Sequence, residues 1–139
     1  MDSQGIEVIP IGRVESPLTD HRAAPRQGVE GAPEACLVLD AAVADGLDGL
    51  AAGDEIVVVT WLDRADRRML RVHPRDDLTI PERGVFTTRS ADRPNPVGLH
   101  TVEVVDVDGL RVRVRPLEAV DGTPIVDLKP VLGPDPATP

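Results

Sequence analysis

Three stretches of the chain carry the apolar, β-branched pattern of strands. Ile6 to Val14 is mostly apolar. Glu55-Ile-Val-Val-Val-Thr-Trp61-Leu62 has the length and composition of a buried strand. Val102 to Asp108 and Leu110 to Arg115 flank Asp108-Gly109, a dipeptide that favours a hairpin turn. In the second arm of that hairpin Arg111, Arg113 and Arg115 alternate with Val112 and Val114, so the arginines share one face and the valines the other. Weaker strand patterns cover Ala35 to Leu39, Met69 to Val72, Gly84 to Thr88 and Ile125 to Leu128. Ala41 to Leu50 predicts one short helix ending near Gly53. Many short strands, turn residues between them and a single helix predict a mainly β fold, a barrel or sandwich. One domain over residues 6–133 is expected, followed by an extended tail over 134–139.

Two polar stretches interrupt the strand pattern. Pro17 to Pro33 is a long connection with Pro25-Arg26-Gln27-Gly28 at its middle. Loops of that length in a small domain are usually functional or mobile. The other stretch is Arg89-Ser-Ala-Asp-Arg93-Pro94-Asn95-Pro96-Val-Gly98. Its prolines lock φ and lack an N–H, and each pushes the residue before it toward extended backbone. The expectation is a stiff loop with free carbonyls, two arginines and an amide. Such a loop suits either a ligand clamp or a rigid connector.

Composition narrows the picture. The chain has one Phe, one Trp and no Tyr, so its core must be aliphatic. Trp61 is expected in that core. The only cysteine is Cys36, which excludes an internal disulfide and a multi-cysteine zinc site. No apolar run reaches the length of a membrane span, and the N-terminus lacks a signal pattern, so the expected location is cytoplasmic, away from membranes. The net charge is −9. That weighs against unspecific DNA or RNA binding and leaves room only for a local basic patch.

Phosphate-loop, paired-histidine and nucleophile-elbow motifs are missing, and no metal site is expected. The histidines are scattered, and His100 reads as a surface or satisfied residue. The run Arg64-Ala-Asp-Arg67-Arg68 reads as a solvated face. Three polar clusters remain. Arg26 and Gln27 suit a carboxylate or a base edge. Arg89 and Arg93 belong to the stiff loop. In Glu118-Ala-Val-Asp121-Gly-Thr-Pro124-Ile-Val-Asp127-Leu-Lys129, a turn at Asp121-Gly122 puts Asp127 and Lys129 on one strand face, as a salt bridge or a site.

Taken in order, these clusters resemble the TsaA-like family of TrmO-type tRNA methyltransferases. The likeness runs from Ile11-Gly12 and Ser16-Pro17 through Pro25-Arg26-Gln27, Gly84 to Ser90 and Arg93 to Gly98. It ends with Asp121 to Pro124 and Asp127 to Pro130. It implies a β-barrel that forms a homodimer and binds S-adenosylmethionine, with a methyl group passed to threonylcarbamoyladenosine beside the tRNA anticodon. It also implies cofactor contacts at Pro25, Arg26, Gln27, Asp63, Arg64, Arg89, Leu99, Glu118, Ala119, Val120 and Asp121. A nitrogen acceptor must lose a proton, and Asp127 is the candidate base, with Lys129 orienting it. The alternative is a module of the same fold that binds S-adenosylmethionine, acts on or senses a small molecule, and does not touch tRNA. Relatives of this type often carry His in place of Asp63 and Arg in place of Glu15.

Overall fold

The computed structural model describes residues 5–19 and 32–133. Its strands are β1 (Gly12–Glu15), β2 (Ala35–Leu39), β3 (Glu55–Trp61), β4 (Arg71–Val72), β5 (Arg83–Gly84), β6 (Val97–Asp108), β7 (Arg111–Arg115) and β8 (Pro124–Pro130). Six of them close an antiparallel barrel in the order β1-β2-β7-β6-β3-β8, with β8 returning to β1. The other two, β4 and β5, pair as a ribbon in the connection between β3 and β6.

The period-two pattern explains the interior. Val14, Leu37, Val58, Val102, Val104, Val112, Val114, Leu117 and Ile125 are all buried. Branched side chains pack well on a pleated surface, and a barrel this narrow is filled by them without aromatics. Each such burial stabilises the fold by about 1.5–3 kcal/mol relative to leaving the side chain in water. The arginines of β7 stand on the outer wall, as their alternation predicts, and there they are neutralised. Arg111 pairs with Glu15 at 2.6 Å, Arg113 with Glu34 at 3.3 Å and Arg115 with Glu103 at 3.0 Å.

Several sequence expectations need correction. The strand predicted from Ile6 begins only at Gly12, because β2 and β8 offer no register partners before it. Ile6, Val8 and Ile9 are exposed. The predicted helix is a 3-10 segment, Ala41–Leu47, whose Val43 and Leu47 pack with Leu50 on the end of the core. Thr88 and its neighbours do not extend β5, since Val85–Thr87 turns into a short 3-10 segment that buries Val85 and exposes Phe86. Strand β6 starts at Val97, immediately after Pro96, because pairing with β3 continues to Trp61. Trp61 is only half-buried. It lies outside the core under the Arg67 guanidinium, 5.1 Å from the ring centre.

Strand directions divide the connections between two ends. At one end lie only residues 40–54 and the hairpin at Gly109, whose φ of 60° suits glycine. At the other lie residues 16–34, 62–96 and 116–123. No helix among the described residues is long and apolar enough to cross a membrane.

Candidate functional site

The end with the long connections gathers most of the sequence-predicted site residues. Asp63 and Arg64 follow β3, Arg89 precedes β6, and Glu118 to Asp121 link β7 to β8. Hydrogen bonds draw these segments together. The Asp121 N–H donates to Leu18 O at 2.6 Å, and the Arg64 guanidinium donates to Thr19 O at 3.2 Å. The Ser16 N–H donates to the Asp121 carboxylate at 3.0 Å. The connection that carries Pro25, Arg26 and Gln27 therefore leaves the barrel between Arg64 and Asp121. Pro25, Arg26 and Gln27 themselves lie outside the described residues.

The proline loop is held differently from its sequence expectation. Its carbonyls are not free. Arg67 donates to Pro94 O at 2.7 Å and to Asn95 Oδ1 at 3.0 Å, and the Leu62 N–H donates to Pro96 O at 2.8 Å. Arg93 is not open to a ligand either. Its guanidinium donates to Val85 O and to Thr88 O, the latter at 2.9 Å, and so ties the loop to the turn before it. Arg67 is thus a strut, whereas the Arg68 side chain is solvated and pairs with Asp66 at 3.2 Å. That hydrogen bond holds the Asp66 carboxyl below its usual range. Arg89 stays exposed beside this braced loop.

Three predicted residues sit elsewhere. Leu99 and Asp127 are the register partners of Val59 on its two sides, so both stand on the outer wall of β6, β3 and β8. Lys129 pairs with Asp127 at 3.1 Å on that wall, with both side chains well exposed. The salt bridge expected from their spacing is present. Beside it the wall exposes two apolar side chains, Val97 at 42% and Leu99 at 51%.

One group escapes the sequence reading of the site. His100 is buried, and its ring bridges two side chains. Nε2 lies 2.7 Å from Thr60 Oγ1, and Nδ1 hydrogen-bonds Glu118 Oε1. The signal is in the strand alternation, since Gly98, His100, Val102 and Val104 share the inward face of β6. Among the described residues no cluster of His, Cys, Asp and Glu could hold a metal ion.

Chemically, this end offers carboxylates, carbonyls, the exposed arginines Arg64 and Arg89, and the buried residues Ala119 and Val120. Such a set can hold a ligand that carries both a carboxylate and a cation, with hydrogen-bonding edges between them.

The chain is similar to several known proteins. The family model described as tRNA-methyltransferase O N-terminal domain matches residues 13–134. A protein of Archaeoglobus fulgidus, named S-adenosyl-L-methionine-binding protein, is 44% identical over 120 residues, 86% of this chain and 85% of its own length. A protein of Methanothermobacter thermautotrophicus, named "Probable S-adenosyl-L-methionine-binding protein", is 42% identical over 94% of this chain and 93% of its own. Among solved structures, TrmO from Pseudomonas aeruginosa superposes with a TM-score of 0.75 at 27% identity over 94% of this chain. This chain spans 58% of that one, a little under three fifths of its length.

Proposed function

Because this chain belongs to the tRNA-methyltransferase O N-terminal domain family, we propose that it binds S-adenosylmethionine at the end of the barrel where the long connections meet and transfers its methyl group. The finer reading is that the acceptor is threonylcarbamoyladenosine beside the tRNA anticodon, in the cytoplasm. The observation that carries the cofactor reading is convergence. Arg64, Asp121 and the exit of the Pro25-to-Gln27 connection meet through the bonds to Leu18 and Thr19.

The residues present fit the cofactor. An arginine from the set Arg26, Arg64 and Arg89 would take the methionine carboxylate. The Ala119 and Val120 backbone would line the adenine, and Glu118 and Asp121 supply carboxylates for its donors. When bound, the cofactor supplies an electrophilic methyl on a sulfonium. The chain's part is alignment, since an in-line displacement depends mostly on holding donor and acceptor in register. Asp127 is assigned the proton of the acceptor nitrogen, with Lys129 orienting it.

Asp127 and Leu99 stand on the wall rather than at the loop end. We propose a homodimer in which this wall of one copy packs against the loop end of the other, which would bring Asp127 and Leu99 to the cofactor. For the tRNA, support comes from charge. The connection 62–96 holds eight arginines and six acidic residues, a basic island on a chain of net charge −9. A second reading, a binding module without tRNA activity, is favoured by the names of the Archaeoglobus and Methanothermobacter relatives.

Calorimetric titration with S-adenosylmethionine comes first, followed by methyl transfer to tRNA bearing the modified adenosine. The expected result is binding, then transfer that falls steeply with salt as phosphate contacts are screened, and that drops in Asp127→Asn. Binding without transfer selects the module. A titration with no heat and no displacement of a labelled analogue overturns both readings.

A further inference from the structure

The barrel interior is aliphatic except at the end beneath the proposed cofactor site. There Thr60 and His100 are buried. A histidine in such a place must have both ring nitrogens satisfied, or the fold loses the solvation of each without return. Both are satisfied. A carboxylate oxygen can only accept, so the bond to Glu118 Oε1 places a proton on Nδ1; in the neutral imidazole Nε2 then accepts the Thr60 hydroxyl, 2.7 Å away. That proton placement follows from the partners.

Gly98 makes the arrangement possible. A Cβ at position 98 would overlap Thr60 Oγ1 and stand 2.7 Å from His100 Nε2. Position 98 faces Thr60 across the β3–β6 ladder, and His100 is two residues on along the same face. The unit therefore uses a residue with no side chain and a hydroxyl to seat an imidazole, which reaches one carboxylate in the β7–β8 connection.

Apart from the Asp121 carboxylate, which accepts the Ser16 N–H, that connection is otherwise held through its backbone. The Leu117 N–H donates to Pro33 O at 3.0 Å, the Asp121 N–H to Leu18 O at 2.6 Å and the Gly122 N–H to Val14 O at 2.7 Å. Glu118 alone is held by its side chain from inside the barrel. One oxygen is taken by the ring, and Oε2 makes no hydrogen bond among the described residues. The Glu118 side chain is 16% exposed, against 5% for His100, so the carboxylate is the part of the unit that reaches the surface.

We propose that His100, set in place by Thr60 and Gly98, is a positioning residue that fixes Glu118 so that its second carboxylate oxygen receives a donor of the bound cofactor. The donor belongs to the shared class of ammonium and ribose hydroxyl groups. The inference rests on the S-adenosylmethionine reading above and deepens it, because His100 itself touches no ligand.

The test compares two amides of similar polarity. His100→Asn can place an N–H where Nδ1–H stood, while His100→Gln reaches toward the Nε2 position. Calorimetry with S-adenosylmethionine on the full chain should show His100→Asn within about threefold of wild type and His100→Gln at least tenfold weaker. In a Glu118→Gln background the same two substitutions should differ by less than twofold, because the route through the carboxylate is gone. Equal affinity of the Asn and Gln variants, or a difference that persists without the Glu118 carboxylate, overturns the role of His100. Should either variant fail to fold, Thr60→Val, which frees the far side of the ring, takes its place and is expected to weaken binding at least threefold. Unchanged affinity in Thr60→Val overturns the proposal. A wild-type protein that binds no S-adenosylmethionine sinks the cofactor reading and this inference with it, an outcome distinct from wild-type binding with indifferent variants.

Discussion

The two ends of the barrel are made from the same strands and do different work. At the short-connection end the chain turns in the hairpin at Gly109 and in the 3-10 segment Ala41–Leu47, and aliphatic side chains close the core. At the other end residues 16–34, 62–96 and 116–123 meet, the first two being the longest connections of the barrel, and the interior itself becomes polar at Thr60 and His100. Short turns fix the register of a barrel. Long connections must be fixed by other means, and here the means are side chains. Arg67 and Arg93 satisfy loop carbonyls, and His100 holds Glu118 from below. A braced loop presents its groups to a ligand with little entropy left to lose, and that is the physical case for placing the site at this end.

Substitutions can test whether the ends are as separate as this. The largest effect is expected at Gly12, at the short-connection end, where a Cβ would overlap the Val38 carbonyl oxygen and lie 2.9 Å from Leu39 Cα. Backbone cannot give way as a side-chain tip can, so Gly12→Ala should cost about 3 kcal/mol in a denaturant melt. A midpoint equal to wild type would show that the β1–β2 seam is looser than described. Next comes Arg93→Ala, which strands the Val85 and Thr88 carbonyls. It should cost about 1–2 kcal/mol. Amide exchange should rise in residues 85–96 while the hairpin at Gly109 keeps its protection. Uniform loss of protection would mean that the two ends unfold as one.

The smallest effect concerns acid. Hydrogen bonds from Arg111, Arg68 and Thr79 hold Glu15, Asp66 and Asp77 below the ordinary carboxylate range. A carboxylate with a lowered folded pKa stabilises above its unfolded value and loses that contribution as pH falls through the folded one. All three groups are exposed, so each contribution is small. Glu15→Gln should lower Tm slightly at neutral pH, and the difference should vanish in acid, below the folded value. A difference that grows in acid would contradict the assigned pairing.

Some of the site is legible in the order of residues and some is not. The clusters around Arg26, Arg89 and Glu118 to Asp121 stand out as candidates, and Arg64 joins them only through the family likeness, because unusual residues in order mark a family even where local chemistry is ambiguous. Arg93 reads as a ligand group, but proximity of a guanidinium to two carbonyls eight and five residues away is set by loop shape, not by composition. His100 reads as inert for the opposite reason. Its burial is implied by the alternation of β6, yet its partners are 40 and 18 residues distant, and no local pattern announces them.

By itself the sequence determined that the chain is built of strands, though not all their bounds, together with the aliphatic core, the hairpin at Gly109 and the outward face of β7, since a period of two and a glycine turn act over a few residues. Only the tertiary structure decided that three separate connections share one end, that Asp127 and Leu99 stand apart on the wall, and that a buried histidine reaches Glu118. Those outcomes depend on register between strands far apart in the chain, where a shift of one residue would turn every side chain to the other face.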